Sequence, residues 1–344
     1  MSMNIQTALE VIADHGHLTR EQMVDVMRQI MSAGATDVQI GAFLLGMRLK
    51  GETTDEITGG VQVLREFATR VDIKSPNLVD IVGTGGDGAN LFNVSTASCF
   101  VVAAAGGHVA KHGNRSVSSS SGSADVLEAA GVRLDISPAE VARCVDELGI
   151  GFMFALMHHS AMRHVSLARK ELGLRTLFNI LGPMSNPANV TRQLIGVFNG
   201  ALCRPIAEVL QRLGSEHVMV VHSHDGLDEI SLAAETRVAE LKNGVVDEYT
   251  LEPEELGVQR GSLKGLGVEG VDASLQLLTR VLAGESDQRS LRGARLVALN
   301  AGAALYVAGM ADSIRDGVDT ALSVLESGAA LDKLEQLGRM TRSF

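Results

Sequence analysis

The string Gly83-Thr84-Gly85-Gly86-Asp87-Gly88 follows directly on the apolar run 78–82, and that junction restricts the fold more than any other part of the chain. A short apolar run that breaks into glycines reads as a buried strand turning sharply toward a helix, here the stretch 94–105. Backbone N–H groups at such a turn, together with the next helix N-terminus, form a ready anion site. The alternation continues downstream. Strands are expected over 108–112, 132–134, 150–155, 193–198 and 217–222, and helices over 124–130, from the Ser137-x-x-Glu140 capping box with Pro138, and over 201–213. This pattern predicts a mostly parallel sheet with crossover helices. Asn243-Gly244 between 236–241 and 245–251 signals a hairpin, and the chain from Asp272 onward reads as mostly helical.

The first seventy residues follow another period. Ile5, Ala8, Leu9 and Ile12 fall at helical spacing, and Thr19-x-x-Gln22, Thr36-x-x-Gln39 and Thr53-x-x-Glu56 are capping boxes opening three further helices. The expected organisation is therefore a helical domain over 1–72, with about 160–185 crossing back to it. The α/β domain takes 73–159 and 186–344.

A formal net charge of −11, 3% aromatic residues and no Trp exclude a general nucleic-acid footprint or stacking platform. Any cationic site must be local. The runs 99–105 and 301–310 are too short to cross a bilayer, and the N-terminus lacks a basic, long-apolar leader. Cys99, Cys144 and Cys203 lack metal-ligand spacing and read as reduced thiols, so a cytoplasmic location is expected.

Chemistry-bearing residues gather at carboxyl strand ends, where ligands bind in open α/β sheets. Asn93-Val94-Ser95-Thr96 puts hydroxyls and an amide at a helix start, a plain N-cap or a phosphate and metal contact. Lys111-His112-Gly113-Asn114-Arg115 leads into serines at 116, 118, 119, 120, 121 and 123, a loop suited to closing over pyrophosphate. Asp228-Glu229 after 217–222 is either a solvated pair or two hard oxygen ligands for Mg²⁺ beside phosphates. Arg169 has only its helical position in its favour. The glycine string also satisfies G-x-G-x-x-G, but a dinucleotide site expects an acid after the second strand, where Lys111, His112 and Arg115 stand.

The ordered set GTGGDG, NVST, KHGNR, GSAD, the His-x-Ala-Met-Arg helix, FNILGP and the Asp-Glu pair resembles the anthranilate phosphoribosyltransferases over nearly the whole chain. That resemblance implies a small helical domain hinged to a larger α/β domain, as in class II nucleoside phosphorylases, and a homodimer through the helical domain. It implies transfer of a 5-phosphoribosyl group from phosphoribosyl pyrophosphate to anthranilate in tryptophan biosynthesis, with Mg²⁺. Gly83, Gly86, Asp87, Asn93, Ser95, Thr96, Lys111 and Ser119 would bind phosphoribosyl pyrophosphate. Ser95, Asp228 and Glu229 would meet metal. Gly83, His112, Asn114, His159, Arg169 and Pro183 would form the anthranilate site, with no residue assigned as general base. Ser160 stands where many relatives have Pro. A phosphorylase of the same fold, or a non-catalytic sugar-phosphate or nucleic-acid binding relative, are the alternatives.

Overall fold

The computed structural model describes residues 2–86, 88–115 and 121–344. Four helices open the chain: α1 (Ile5–Ala13), α2 (Arg20–Met31), α3 (Asp37–Lys50) and α4 (Thr54–Phe67). All three expected capping boxes form, each threonine hydroxyl accepting the amide three residues on while that residue's side chain takes the threonine amide. In α4, Gly59 and Gly60 let neighbouring helices approach closely. An added Cβ would lie 2.7 Å from the Arg20 carbonyl oxygen of α2, or 2.9 Å from Leu181 Cδ1.

The α/β part begins with β1 (Val79–Gly83), α5 (Val94–Ala104), β2 (Val109–Gly113), α6 (Ser123–Ala129), α7 (Pro138–Leu148) and β3 (Ile150–Phe154). After the short α8 (Ala155–His158), α9 (Arg163–Leu172) and α10 (Leu177–Leu181) pack on the N-terminal helices. The sheet resumes with β4 (Arg192–Gly196), α11 (Cys203–Arg212), β5 (His217–Ser223), β6 (Thr236–Lys242) and β7 (Val245–Leu251). Helices α12 (Gly270–Leu282), α13 (Gln288–Val307), α14 (Ile314–Ser327) and α15 (Ala329–Arg342) complete the chain.

The seven strands run in the order β3-β2-β1-β4-β5-β6-β7; β1 to β5 are parallel, and β6 and β7 are antiparallel additions. Asn243 and Gly244 both have positive φ, as a two-residue hairpin turn requires. Residues 132–134, expected as a strand, are a loop instead. Val132 and Leu134 are buried because the Val132 amide closes onto the Leu127 carbonyl and the Arg133 amide binds Thr341 Oγ1 of α15. Apolar alternation there reflects loop packing, not pairing.

Side chains alternate between the two sheet faces with period two. Leu194, Met219, Val221 and Val238 join a core with α5 and α12–α15, whereas Ile195, Val218, Val220 and Ala239 join a second core with α11 and the N-terminal helices. This second core includes Val165, Ala168, Leu177, Leu181 and Met184. Strand order reverses between β1 and β4, so a crevice opens at their carboxyl ends.

Candidate active site

Gly83 and Gly196 end the two strands flanking that crevice, and the Asp228-Glu229 segment lies across them. A Cβ on Gly196 would fall 1.5 Å from the Asp228 carbonyl oxygen, and one on Gly83 would fall 2.6 Å from Asp228 Oδ2. Only glycine permits the acids to sit this close. Asp228 Oδ2 accepts the Gly85 amide at 2.9 Å, and Glu229 Oε1 accepts the Ser95 amide at 3.2 Å at the start of α5. The acid pair therefore bridges the glycine loop and a helix N-terminus, groups that attract anions.

The acids are held from behind by α13. Asn300, buried, accepts the Ile230 amide at 2.9 Å and donates to the Ile230 carbonyl at 3.0 Å. Loop ends are tied as well, with the Thr84 amide on the Gly196 carbonyl and the Phe198 amide on Thr84 Oγ1. Asn93, freed from capping α5, accepts Ser274 Oγ at 2.7 Å and Ser121 Oγ at 2.9 Å. Thr96 is fully buried one turn into α5, and its hydroxyl has no partner among the described residues. Asp87 and Ser119 lie outside the described residues. Gly86 meets a residue that sequence reasoning missed: the Arg175 guanidinium donates to the Gly86 carbonyl and stacks over Phe198 at 4.5 Å. Arg48 of α3 in turn donates to the Arg175 carbonyl.

The other lip carries the residues expected to receive an acceptor. His112 and His159 are buried with ring centroids 5.0 Å apart, and the Nε2 atom of each lacks a partner among the described residues. Their other contacts are the Gly182 and Ser185 carbonyls, which belong to the loop of Pro183. Pro183 is buried, its carbonyl accepting Gln193 Nε2 at 3.0 Å. Asn114 is exposed at the β2 end, its side chain accepting the Arg115 amide at 2.8 Å. Arg115 points elsewhere, pairing with Asp125 and Glu128 of α6, so no cation remains there for a dinucleotide phosphate. Lys111, 3% exposed, donates from Nζ to the Ile81 carbonyl at 2.7 Å, below the crevice floor.

Arg169 of α9 stands over the Phe178 ring at 5.5 Å and has no ion pair or hydrogen bond among the described residues. Burial lowers its pKa. A desolvated guanidinium stacked on an aromatic face and lacking an anion is an open seat for a carboxylate. Among the described residues, no hydrogen bond or ring contact links Arg169 to His112, His159 or Asn114.

Burial also keeps the imidazoles neutral. Desolvation, then the neighbouring His159 and His158, hold His112 well below its usual range, and desolvation takes His159 down to about 4. The unfolded chain binds protons that these rings refuse, so stability is full above the unfolded value of 6.5 and falls as pH drops toward 4. His159 alone accounts for up to about 3 kcal/mol. Asp80, raised to about 6 by burial against the pull of Lys111, acts in the opposite sense and offsets part of this loss. Denaturant midpoints should fall between about pH 7 and pH 5 and the slope should flatten in His159→Gln; equal slopes in both proteins would contradict the assignment.

The donor set suits Mg²⁺. Two hard carboxylates face an anion loop, and among the described residues no cluster of three or more His, Cys, Asp or Glu side chains could form a closed cage. Two carboxylates beside an anion-attracting loop suit an ion that keeps waters and shares itself with substrate phosphates.

A helical bundle against a mostly parallel sheet, with a glycine loop and paired acids at the strand-order reversal, suits a transferase that handles a phosphorylated sugar. Two family models match accordingly: the glycosyl transferase family helical bundle domain over residues 6–68 and the a/b domain over 75–331. The chain belongs to the anthranilate phosphoribosyltransferase family. It is 59% identical to the anthranilate phosphoribosyltransferase of Marinobacter nauticus over 99% of this chain and 100% of that one, and 60% identical to that of Saccharophagus degradans over 97% and 98%. The Thermus thermophilus enzyme structure aligns with TM-score 0.90 and 42% identity, covering 97% of this chain and 99% of that one. The Saccharomyces cerevisiae enzyme in complex with PRPP (phosphoribosyl pyrophosphate) and Mg aligns with TM-score 0.88 and 26% identity, covering 99% and 98%.

Proposed function

We propose that this chain transfers the 5-phosphoribosyl group of phosphoribosyl pyrophosphate to the amine of anthranilate, releasing pyrophosphate, in tryptophan biosynthesis. The observation that carries this reading is the acid pair laid over both the Gly85 amide and the start of α5. Ser95, Asp228 and Glu229 would hold Mg²⁺, which when bound neutralises pyrophosphate charge as it builds on the leaving oxygen.

The protein's own groups supply the rest. Departure of pyrophosphate leaves positive charge on the ribose carbon and negative charge on the phosphates. The positive end of the α5 dipole and the glycine loop at 83–86, over which Asp228 and Glu229 lie, are preorganised toward that negative charge. Arg169 would take the anthranilate carboxylate, and the neutral His112 and His159 leave it the dominant cation on that side. Once the amine nitrogen bonds to the ribose carbon its proton becomes strongly acidic and passes to solvent, so a dedicated base is not required. Holding two substrates in line contributes much of the acceleration.

The helical part is proposed to include 160–185, supported by the core that unites Val165, Leu177 and Leu181 with α1–α4. Dimerisation through this part is supported by an exposed apolar stripe on α3: Val38 (82%), Leu45 and Leu49 (74%) share one face. A cytoplasmic setting fits three buried free cysteines, and no helix among the described residues is long and apolar enough to cross a membrane.

Loss of anthranilate fluorescence on adding phosphoribosyl pyrophosphate and Mg²⁺ tests the reading. Unchanged fluorescence at millimolar substrates would overturn it.

A further inference from the structure

Strand β1 pairs with β4 through five consecutive partners, and β2 with β3 likewise, but β1 meets β2 at Val79 and Val109 alone. With that register, the next parallel step would put the Ile81 amide on the Ala110 carbonyl and the His112 amide on the Ile81 carbonyl. Side chains take those places instead. The Ala110 carbonyl accepts Asn186 Nδ2 at 2.9 Å, and the His112 amide donates to Asp80 Oδ1 at 3.1 Å. The Ile81 carbonyl accepts Lys111 Nζ at 2.7 Å. Asn186 Nδ2 also donates to Asp80 Oδ2 at 2.7 Å, closing the set. All three side chains are buried.

Buried side chains bind three of the four backbone groups of the missing step, so the gap is a held wedge and not a frayed edge. Its location gives it a task. The His112 amide belongs to the lip that carries His112 and Asn114, and Asn186 ends the loop that carries Pro183 and the carbonyls facing both imidazoles. The glycine loop is secured separately, through the β1–β4 ladder and Asp228.

We propose that Asp80, Lys111 and Asn186 are positioning residues that wedge β1 from β2 and set where the acceptor lip stands relative to the phosphoribosyl side. This rests on the transferase reading above. It also gives Lys111 a role that does not require its ammonium to reach a phosphate.

Asn186→Ala is the test, because replacing Asp80 strands a buried lysine and can prevent folding. In the full chain, KM for anthranilate should rise about tenfold or more, while kcat and KM for phosphoribosyl pyrophosphate stay within about threefold. Hydrogen exchange on the same variant reads the wedge without substrate. Amides of 111–114 and 182–186 should exchange at least about tenfold faster with those of 192–196 unchanged. Unchanged exchange overturns the proposal. So does faster exchange with both KM values unmoved or moved equally, which is the mark of a purely structural contact. Absence of turnover by the unmutated chain would instead sink the transferase reading, and exchange at 111–114 would still decide whether the wedge exists.

Discussion

Arg169→Ala should raise KM for anthranilate by about a hundredfold while leaving that for phosphoribosyl pyrophosphate within about threefold. The expectation follows from what surrounds the guanidinium. It lies over Phe178, is partly withdrawn from water, and has no carboxylate partner among the described residues. A charge-assisted bond from such a group to a substrate carboxylate contributes about 1.5–3 kcal/mol, which is roughly ten- to hundredfold in binding, with the upper end expected where water is excluded. Arg169→Lys should recover only part of the loss, since an ammonium neither forks onto a carboxylate nor stacks as a guanidinium does. On the proposed assignment phosphoribosyl pyrophosphate lies over β1, α5 and the acid pair, and among the described residues no hydrogen bond or ion pair links the Arg169 guanidinium to them. Steady-state kinetics with each substrate varied in turn checks the prediction; equal loss for both substrates would contradict the assigned role.

Glu229→Gln should lower kcat on the order of 100- to 1,000-fold and raise the Mg²⁺ concentration needed for half-maximal rate. Glutamine keeps an oxygen that can accept the Ser95 amide, so the α5 cap survives and thermal stability should change by less than about 1 kcal/mol. What disappears is the anionic hard oxygen. A rate loss with an unchanged Mg²⁺ requirement would show that Glu229 acts only as a cap. Titrating Mg²⁺ in wild-type and variant assays separates the two.

Features governed by neighbours in sequence were legible. The three threonine capping boxes and the Asn243-Gly244 turn are decided within four residues, and they form as read. The strand-to-helix turn at the glycine loop was legible for the same reason, since β1 ends at Gly83 and α5 follows. Residues 132–134 misled because their burial comes from α15, whose Thr341 lies 208 positions beyond Arg133. The same reason hid Asn300, Arg175, Asp80 and Asn186, ordinary polar residues whose importance arises from contacts across 70 to 106 positions. Lys111 stood correctly at a carboxyl strand end, but strand alternation and the interrupted β1–β2 ladder direct its ammonium to Ile81. Arg169 shows the converse. Its sequence neighbourhood is ordinary, and only the fold reveals a half-buried cation left without an anion among the described residues.

In the proposed function the two lips hold phosphoribosyl pyrophosphate and anthranilate together. Quantifying products from the purified chain with both substrates and Mg²⁺ addresses it most directly. N-(5-phosphoribosyl)anthranilate and pyrophosphate are expected in equal amounts, with no base release when a nucleoside and inorganic phosphate are offered instead. Phosphorolysis of the nucleoside, with anthranilate untouched, would contradict it.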